Sequence, residues 1–239
     1  MSLEDATRYA RKEYWEDRFE TEEEHDWLGS YENYGGIVES ILKPDDRILI
    51  LGCGNSTLSE NIYKSGCKHV TNIDYSVNVI RRMREKYCDL EEMRWTTMDI
   101  LDMKFIPASF DVVIDKATLD SFMVDERDPW NISLHMQGIM DQILQMVSHV
   151  LKKDGKFISM TWAQPHFRKR LLAKRQYDWS IDTKKFGTGF EYFIYIMKKG
   201  QSLSEKDASL GLTKSTSGLV QSEETLEDDV EDFLNHIDV

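Results

Sequence analysis

The chain has 239 residues, of which 43 are acidic and 30 basic, so its formal net charge is −13. A hydrophobic content of 41% with 11% aromatic residues indicates a globular domain large enough to bury a core. The acidic balance argues against the phosphate backbone of a nucleic acid as a partner. No run approaches about 18 consecutive apolar residues and no apolar leader pattern is present, so neither membrane attachment nor secretion is expected.

The acidic residues are unevenly distributed along the chain, and the cysteines are few. Ten acidic and only two basic residues follow Gly200, so the acidity is concentrated in residues 200–239. The three cysteines form no Cys-x-x-Cys pair and no cluster with histidine at metal-ligand spacing, so no metal site is expected. Sparse, unpaired cysteines are typical of a reducing compartment, and a cytoplasmic location is therefore predicted.

Residues 1–30 combine dense charge with aromatic side chains. Trp15 and Phe19 are four positions apart and would share one face of a helix. They could staple this helix to the domain, or the segment could act as a lid over a ligand. Residues 20–26 are predicted to be an acidic linker, and residues 31–42 a second helix that ends before Pro44.

The most informative stretch is the run of four apolar residues at 48–51, which follows Arg47 and leads directly into Gly52 and Gly54. Such a run predicts a strand buried on both faces of a parallel sheet. The two glycines allow a tight turn and a close approach of backbone to ligand, and Asn55 or Ser56 could cap the next helix. A purely structural turn is the alternative that this motif leaves open.

Acidic residues end the strands that follow. Asp74 ends the second strand twenty positions after Gly54, close to the roughly 20-residue offset of an acid that binds a ribose. Asp99 ends the third strand and Asp115 the fourth. Because ligands bind at the carboxyl ends of parallel strands, these positions predict a nucleoside-type site.

The remaining elements complete the predicted fold. A long amphipathic helix at residues 134–151 precedes a fifth strand at residues 156–162. The basic stretch at residues 165–175, which contains Arg168, is interpreted as a solvated helix face. Residues 177–182 and 190–197 predict an antiparallel hairpin. The fold class is therefore α/β: a Rossmann-like, seven-stranded, mostly parallel sheet flanked by helices, with an antiparallel hairpin at its C-terminal edge.

The predicted domain organisation has three parts. Residues 1–30 form the N-terminal helix or lid, residues 31–199 the main domain, and residues 200–239 an acidic and mostly disordered tail. Within that tail, apolar residues at helical spacing allow a short terminal helix, although chance explains so short a pattern equally well. Those apolar residues are Val230, Phe233, Leu234 and Ile237.

The glycine turn and the strand-end acids resemble those of class I S-adenosylmethionine-dependent methyltransferases. The resemblance implies that the glycine turn approaches the methionine part of S-adenosyl-L-methionine. It also implies that Asp74 binds the ribose with Tyr75 beside the adenine, and that Asp99 and Ile100 meet the adenine. A third glycine is absent, which fits a cofactor without a pyrophosphate.

Several motifs resemble a narrower family, the seven-β-strand lysine methyltransferases that act on eukaryotic elongation factor 1A. These motifs lie at residues 14–19, 51–56, 111–116 and 118–120, and those at residues 159–161, 164–168 and 231–234 point to one branch of the family. Ile50 and Ser56 depart from the class I pattern but are shared with this family. The resemblance implies that the cofactor also contacts Trp15, Phe19 and Lys116.

This resemblance implies methyl transfer to a protein lysine, with elongation factor 1A as the expected basic partner and a monomeric enzyme. Asp115 and Asp120 are placed to attract the lysine cation, and Trp15, Phe122 or Trp162 could line its channel through cation–π contact. No residue is assigned as a required base. Two alternatives stay open: a methyltransferase for a small molecule, an RNA or another protein, and a scaffold that binds the cofactor without catalysis.

Overall fold

The computed structural model describes residues 6–211, which form one seven-stranded sheet with helices packed on both faces. The strands in chain order are β1 (Ile48–Leu51), β2 (Val70–Asp74), β3 (Arg94–Thr97), β4 (Phe110–Lys116), β5 (Leu151–Thr161), β6 (Trp179–Phe186) and β7 (Tyr192–Lys199). The helices are α1 (Lys12–Thr21), α2 (Tyr31–Glu39), α3 (Leu58–Lys64), α4 (Val77–Lys86), α5 (Thr118–Met123), α6 (Leu134–Val150), α7 (Pro165–Leu172) and α8 (Glu205–Gly211).

The strand order across the sheet is β3-β2-β1-β4-β5-β7-β6. Strands β1 to β5 pair in parallel, whereas β7 runs antiparallel to both β5 and β6. The predicted mostly parallel sheet with an antiparallel C-terminal hairpin is confirmed. The strand order reverses between β1 and β4, and ligands of open α/β sheets bind at the carboxyl ends of strands at such a point.

Strand β1 is the centre of the core, and all four of its residues are buried. Ile48 and Ile50 pack into the hydrophobic cluster on the face that carries α2, α3 and α4. Leu49 and Leu51 pack into the cluster on the face that carries α6 and α7. Burial of each such side chain contributes about 1.5–3 kcal/mol, which holds the start of the glycine turn in a fixed position.

Helix α1 is attached to α4 through polar contacts. Glu16 accepts hydrogen bonds from the Ser76 hydroxyl (2.7 Å) and the Val77 amide (3.2 Å), so it caps the N-terminus of α4 from another helix. Arg82 of α4 donates to the carbonyl oxygens of Phe19 and, at 2.9 Å, Glu22. The N-terminal segment therefore lies on the domain.

Order continues beyond the predicted end of the domain. The Ser204 hydroxyl accepts from the Asp207 amide (3.1 Å), and the Asp207 carboxylate accepts from that hydroxyl (2.8 Å), which starts α8 as a capping box does. Asp207 also pairs with Lys169 of α7 at 2.8 Å. Helix α8 thus extends regular structure beyond residue 199, where the main domain is predicted to end. The predicted terminal helix near Phe233 lies outside the described residues.

No helix within residues 6–211 is both long enough and apolar enough to cross a bilayer.

Candidate functional site

An open cleft of about 1050 Å³ lies at the carboxyl ends of β1, β2 and β4. Eight of the nine predicted cofactor residues line it: Trp15, Phe19, Gly52, Gly54, Asp74, Tyr75, Ile100 and Lys116. The strand ends meet here because β1 pairs in register with both neighbours, which places Leu51 beside Ile73 and Asp115. The cleft is therefore at the position that the strand order predicts for a ligand site.

The floor of the cleft is the glycine turn after β1. Gly52 and Gly54 both have φ of +51°, which L side chains rarely adopt. A Cβ at Gly52 would lie 2.4 Å from the side chain of Thr118, whereas one at Gly54 would meet the Phe19 ring at an ordinary 3.5 Å. The Thr118 hydroxyl bonds to the carbonyl oxygens of Leu51 (3.0 Å) and Gly52 (3.1 Å). A glycine is thus required at position 52, both because φ is positive there and because the Thr118 side chain packs closely against it.

Asp74 connects the end of β2 to this turn. Its carboxylate accepts from the backbone amides of Gly54 (3.0 Å) and Ser76 (2.9 Å). Burial raises the pKa of Asp74 to about 6, although the two amides oppose the shift. A carboxylate that lines a cleft with only amide donors around it retains acceptor capacity for a ligand hydroxyl.

One wall of the cleft is aromatic and comes from the N-terminal segment. The Trp15 and Phe19 rings stack with centroids 5.6 Å apart, as their helical spacing predicts. The Trp15 indole donates to the carbonyl oxygen of Tyr9 at 2.8 Å. Tyr9, His25 and Trp27 also line the cleft, and the sequence analysis missed them. Their aromatic character was visible, but no regular spacing linked them to Trp15.

The predicted acidic linker, residues 20–26, contains a residue with a structural role at the cleft. Asp26 accepts from the hydroxyls of Ser56 and Thr57, both at 2.5 Å, and from the Lys116 ammonium at 3.0 Å. Burial pushes the pKa of Asp26 up, but the Lys116 charge and the two hydroxyls bring it below its usual value. Lys116 also donates to the Trp27 carbonyl oxygen at 3.0 Å. These residues form a network that fixes segment 22–27 against the glycine turn.

Asn55 and Ser56 act differently from the prediction of a simple helix cap. Ser56 accepts from the Leu58 amide at 3.1 Å while it donates to Asp26, so it joins the cap to the network. Asn55 donates instead to the carboxylate of Glu22 at 3.0 Å. Both residues therefore hold the N-terminal segment on the turn.

Asp99 is the predicted cofactor residue that is not among those lining the cleft. It is exposed, and its carboxylate accepts from the Leu101 amide at 2.9 Å, so it caps the short 3₁₀ helix Ile100–Asp102. Its neighbour Ile100 is 4% exposed and lines the cleft. This 3₁₀ helix follows β3, so Ile100 lines the cleft from the end of that strand.

Three of the four predicted substrate-channel residues, Asp120, Phe122 and Trp162, line the cleft, whereas Asp115 does not. Asp115 is fully buried, and its two oxygens accept from the Leu119 amide (3.0 Å) and the Ser159 hydroxyl (2.7 Å). Asp115 does not lie in the predicted channel, because its side chain faces inward from β4 and is covered by β5 and α5. Asp115 supports the start of α5 instead.

Asp120 has a buried basic partner. Its Oδ1 accepts from the guanidinium of Arg168 and from the Thr161 hydroxyl at 2.6 Å. Arg168 is only 3% exposed, so the interpretation of residues 165–175 as a solvated helix face was wrong at this position. None of the basic residues of α7, Arg168 included, lines the cleft. Among residues 6–211, no cluster of three or more His, Cys, Asp or Glu has the arrangement of a metal site.

Comparisons with known proteins agree with this geometry. Residues 42–201 match the family model described as a methyltransferase domain. The chain is 40% identical over 235 residues to EEF1A lysine methyltransferase 4 of Mus musculus, which covers 96% of this chain and 92% of the mouse protein. It is 41% identical over 206 residues to EEF1A lysine methyltransferase 4 of Bos taurus, covering 85% and 81%.

Among solved structures, the cyclase SpnF shares the fold with a TM-score of 0.56 at 12% identity, covering 85% of this chain and 97% of that chain. The resemblance found in the sequence motifs is confirmed. The chain belongs to the methyltransferase family, in the group of the EEF1A lysine methyltransferases.

Proposed function

We propose that this protein transfers a methyl group from S-adenosyl-L-methionine to a lysine of translation elongation factor 1A. The observation that carries the proposal is the 40% identity to a relative named EEF1A lysine methyltransferase 4, which extends over nearly the full length of both chains. The cleft supports it because the glycine turn, Asp74 and Ile100 lie together at the switch point of the sheet.

The residues of the cleft fit the proposed cofactor. Gly52 and Gly54 line the cleft without side chains, which permits close approach of the methionine part to their backbone. The Asp74 carboxylate suits a ribose hydroxyl, and Ile100 with Tyr75 offers an apolar and aromatic surface for a base. When bound, the cofactor supplies a methyl group on a sulfonium, which is a good leaving group.

The protein's own contribution is positioning and exclusion of water. The wall formed by Tyr9, Trp15, Phe19 and Trp27 covers the glycine turn, and the Asp26–Lys116 network keeps this wall in place. We propose that residues 1–30 act as a lid in this sense, with residues 31–199 as the catalytic domain. Orientation of two reactants can contribute on the order of 7–11 kcal/mol to lowering a barrier.

The substrate amine has to lose a proton before transfer, since a free lysine has a pKa of about 10.4. Phe122 and Trp162 flank the part of the cleft that contains Asp120, which suits the stem and the cation of a lysine side chain. The proton can pass to Asp120 or to solvent at the open mouth. The net charge of −13 favours a basic protein as the partner.

We further propose a monomeric enzyme of the cytoplasm. All three cysteines, Cys53, Cys67 and Cys88, are free thiols, which is consistent with a reducing compartment. Light scattering coupled to size exclusion would measure the mass, and a dimeric mass would contradict the monomer.

The test of the proposed function is a transfer assay with purified elongation factor 1A and tritiated methyl donor. We expect label on one lysine, located by mass spectrometry, and no label when that lysine is replaced by arginine. Asp74→Ala should abolish transfer, while Asp89→Ala, at an exposed carboxylate, should not change it. Label on metabolites but on no protein would overturn the substrate assignment.

A further inference from the structure

The two acids predicted to attract the substrate cation differ in how their oxygens are used. Both oxygens of Asp115 accept hydrogen bonds within the domain. Asp120 uses Oδ1 for Arg168 and Thr161, and the Trp162 amide is a further donor that lowers the pKa of this carboxyl. Its buried Oδ2 has no hydrogen-bond partner of good geometry among residues 6–211. An unsatisfied carboxylate oxygen costs stability when buried, so its retention at a cleft suggests a ligand.

The charges around Asp120 do not balance. Asp115, Asp120 and Arg168 lie together, each 7% exposed or less, and they bring two carboxylates to one guanidinium. Burial raises the pKa of both acids, and the Arg168 charge opposes that rise at both. Lys116, the other buried base at the cleft, is paired with Asp26. The cluster therefore carries one carboxylate charge that no basic side chain neutralises, and one further cation would balance it.

Of the three residues in this cluster, only Asp120 can be reached by a cation that enters the cleft. Asp120 lines the cleft together with Ser121, Phe122 and Trp162, whereas Asp115 and Arg168 do not. The Nε and Nη1 atoms of Arg168 also have no partner in the described part of the chain, but Arg168 does not line the cleft. The member of this cluster that borders the cleft is thus an acceptor.

We propose that Asp120 Oδ2 is the binding site for the ammonium group of the substrate lysine, and that Arg168 is the positioning residue that orients this carboxylate. This inference rests on the proposed lysine methyl transfer and assigns the residue that receives its substrate. Phe122 and Trp162 contribute an apolar channel for the methylene stem of the lysine. The arrangement favours a cation over a neutral group of the same shape, since only the cation neutralises the buried carboxylate.

Asp120→Asn tests the assignment because it removes the charge while keeping an oxygen for Thr161 and Arg168. We expect kcat/KM with elongation factor 1A to fall by about 100-fold or more, as loss of one partner of a buried charge pair predicts. The affinity for S-adenosylhomocysteine should change less than about twofold, because Asp120 is assigned to the substrate lysine and not to the cofactor. The 100-fold loss then reflects substrate recognition, and the free energy of cofactor binding stays unchanged.

The matched control is Asp141→Asn, the same substitution at a carboxylate of α6 that pairs with Lys174 at 2.5 Å and does not line the cleft. It should keep the wild-type rate. Wild-type kcat/KM in Asp120→Asn, or equal losses in both variants, would overturn the cation site.

A second measurement needs no variant and no protein substrate. The full chain with bound S-adenosylhomocysteine is titrated with n-butylammonium and, separately, with 1-butanol, and binding is followed by ligand-observed NMR. The cation should bind at least about tenfold more tightly than the alcohol, a difference of about 1.4 kcal/mol. Equal affinities would overturn the proposal even if Asp120→Asn does not fold.

These outcomes separate the inference from the proposed function. If elongation factor 1A is not methylated but butylammonium is selected, the function fails and the cation site stands. If the factor is methylated at an unchanged rate by Asp120→Asn, the function stands and the cation site fails.

Discussion

Two buried ion pairs border the cleft, Asp26–Lys116 and Asp120–Arg168, and they differ in how completely their atoms are satisfied. In both, the side chains are nearly sealed from water: 17% and 5% exposed in the first, 7% and 3% in the second. Asp26 accepts from two hydroxyls and an ammonium, so both of its oxygens are used. In the second pair, Asp120 Oδ2 and two nitrogens of Arg168 have no partner in residues 6–211.

The difference indicates that the two ion pairs have different roles. A buried pair whose donors and acceptors are all used fixes geometry, since removal of either partner leaves an uncompensated charge. A buried pair that has an acceptor oxygen without a hydrogen-bond partner at a cleft is suited to bind a further cation. The first pair holds segment 22–27 on the glycine turn, and the second contributes Asp120 to the lining of the cleft. The following predictions are ordered from the largest expected effect to the smallest.

Asp26→Asn should lower the free energy of unfolding by about 3–5 kcal/mol, because it leaves the buried Lys116 ammonium without its counterion. Urea denaturation measures the change. In the control, Asp141→Asn breaks a pair whose side chains are 21% and 30% exposed, and the loss should stay below about 1 kcal/mol. Equal losses in the two variants would remove the structural role assigned to the Asp26 pair.

Arg168→Gln should move the acidic limb of the profile of kcat/KM against pH upward by about one unit, which corresponds to about 1.4 kcal/mol. Burial raises the pKa of Asp120 and the Arg168 charge opposes it, so loss of that charge raises the pKa further. Asp115 is the neighbouring acid whose pKa would rise with it, and Tyr195 the neighbouring phenol.

The control for this prediction is Arg170→Gln on the same helix. Arg170 donates to the carbonyl oxygen of Trp130 at 2.6 Å and does not line the cleft. Its profile should match the wild type. An unchanged limb in Arg168→Gln would argue that the ionisation of Asp120 in the free enzyme does not control kcat/KM.

Affinity for S-adenosylhomocysteine should increase up to about tenfold from pH 5 to pH 7, since a carboxylate with a raised pKa becomes a stronger acceptor as it ionises. The group responsible is Asp74, whose pKa burial raises to about 6. Unlike the two paired acids, Asp74 is held only by amides. Calorimetric titration measures the trend, and Asp74→Asn should flatten it. The same slope in that variant would assign the titration to another group.

Ionisation of Asp74 and Asp115 also affects the ligand-free protein. Both have a folded-state pKa of about 6, above the value of about 3.8–3.9 expected in the unfolded chain. The folded state therefore binds protons more tightly between these values, and the contribution of both acids to stability decreases as the pH rises from 4 to 6. Cofactor binding opposes this loss, because it favours the ionised form of Asp74.

Local patterns in the sequence determined much of the fold and of the cofactor side of the site. The apolar run of β1 required burial on both faces, and Gly52 and Gly54 required a turn that only glycine adopts readily. The position of Asp74 followed from its place at the end of β2. These features depend on residues adjacent in the chain or on adjacent parallel strands, so their meaning is visible in spacing alone.

The tertiary structure decided which charged residues belong to the site. Asp26 and Lys116 are 90 positions apart, and Asp120 and Arg168 are 48 apart. Segment 20–26 had the composition of a linker, and α7 that of a solvated face, yet each contributes a buried charge. Pairing over such separations depends on how the N-terminal segment and α7 pack against the sheet. No local periodicity records that packing, which is why the sequence predicted a cleft at the strand ends but neither the pairing of Asp26 with Lys116 nor that of Asp120 with Arg168.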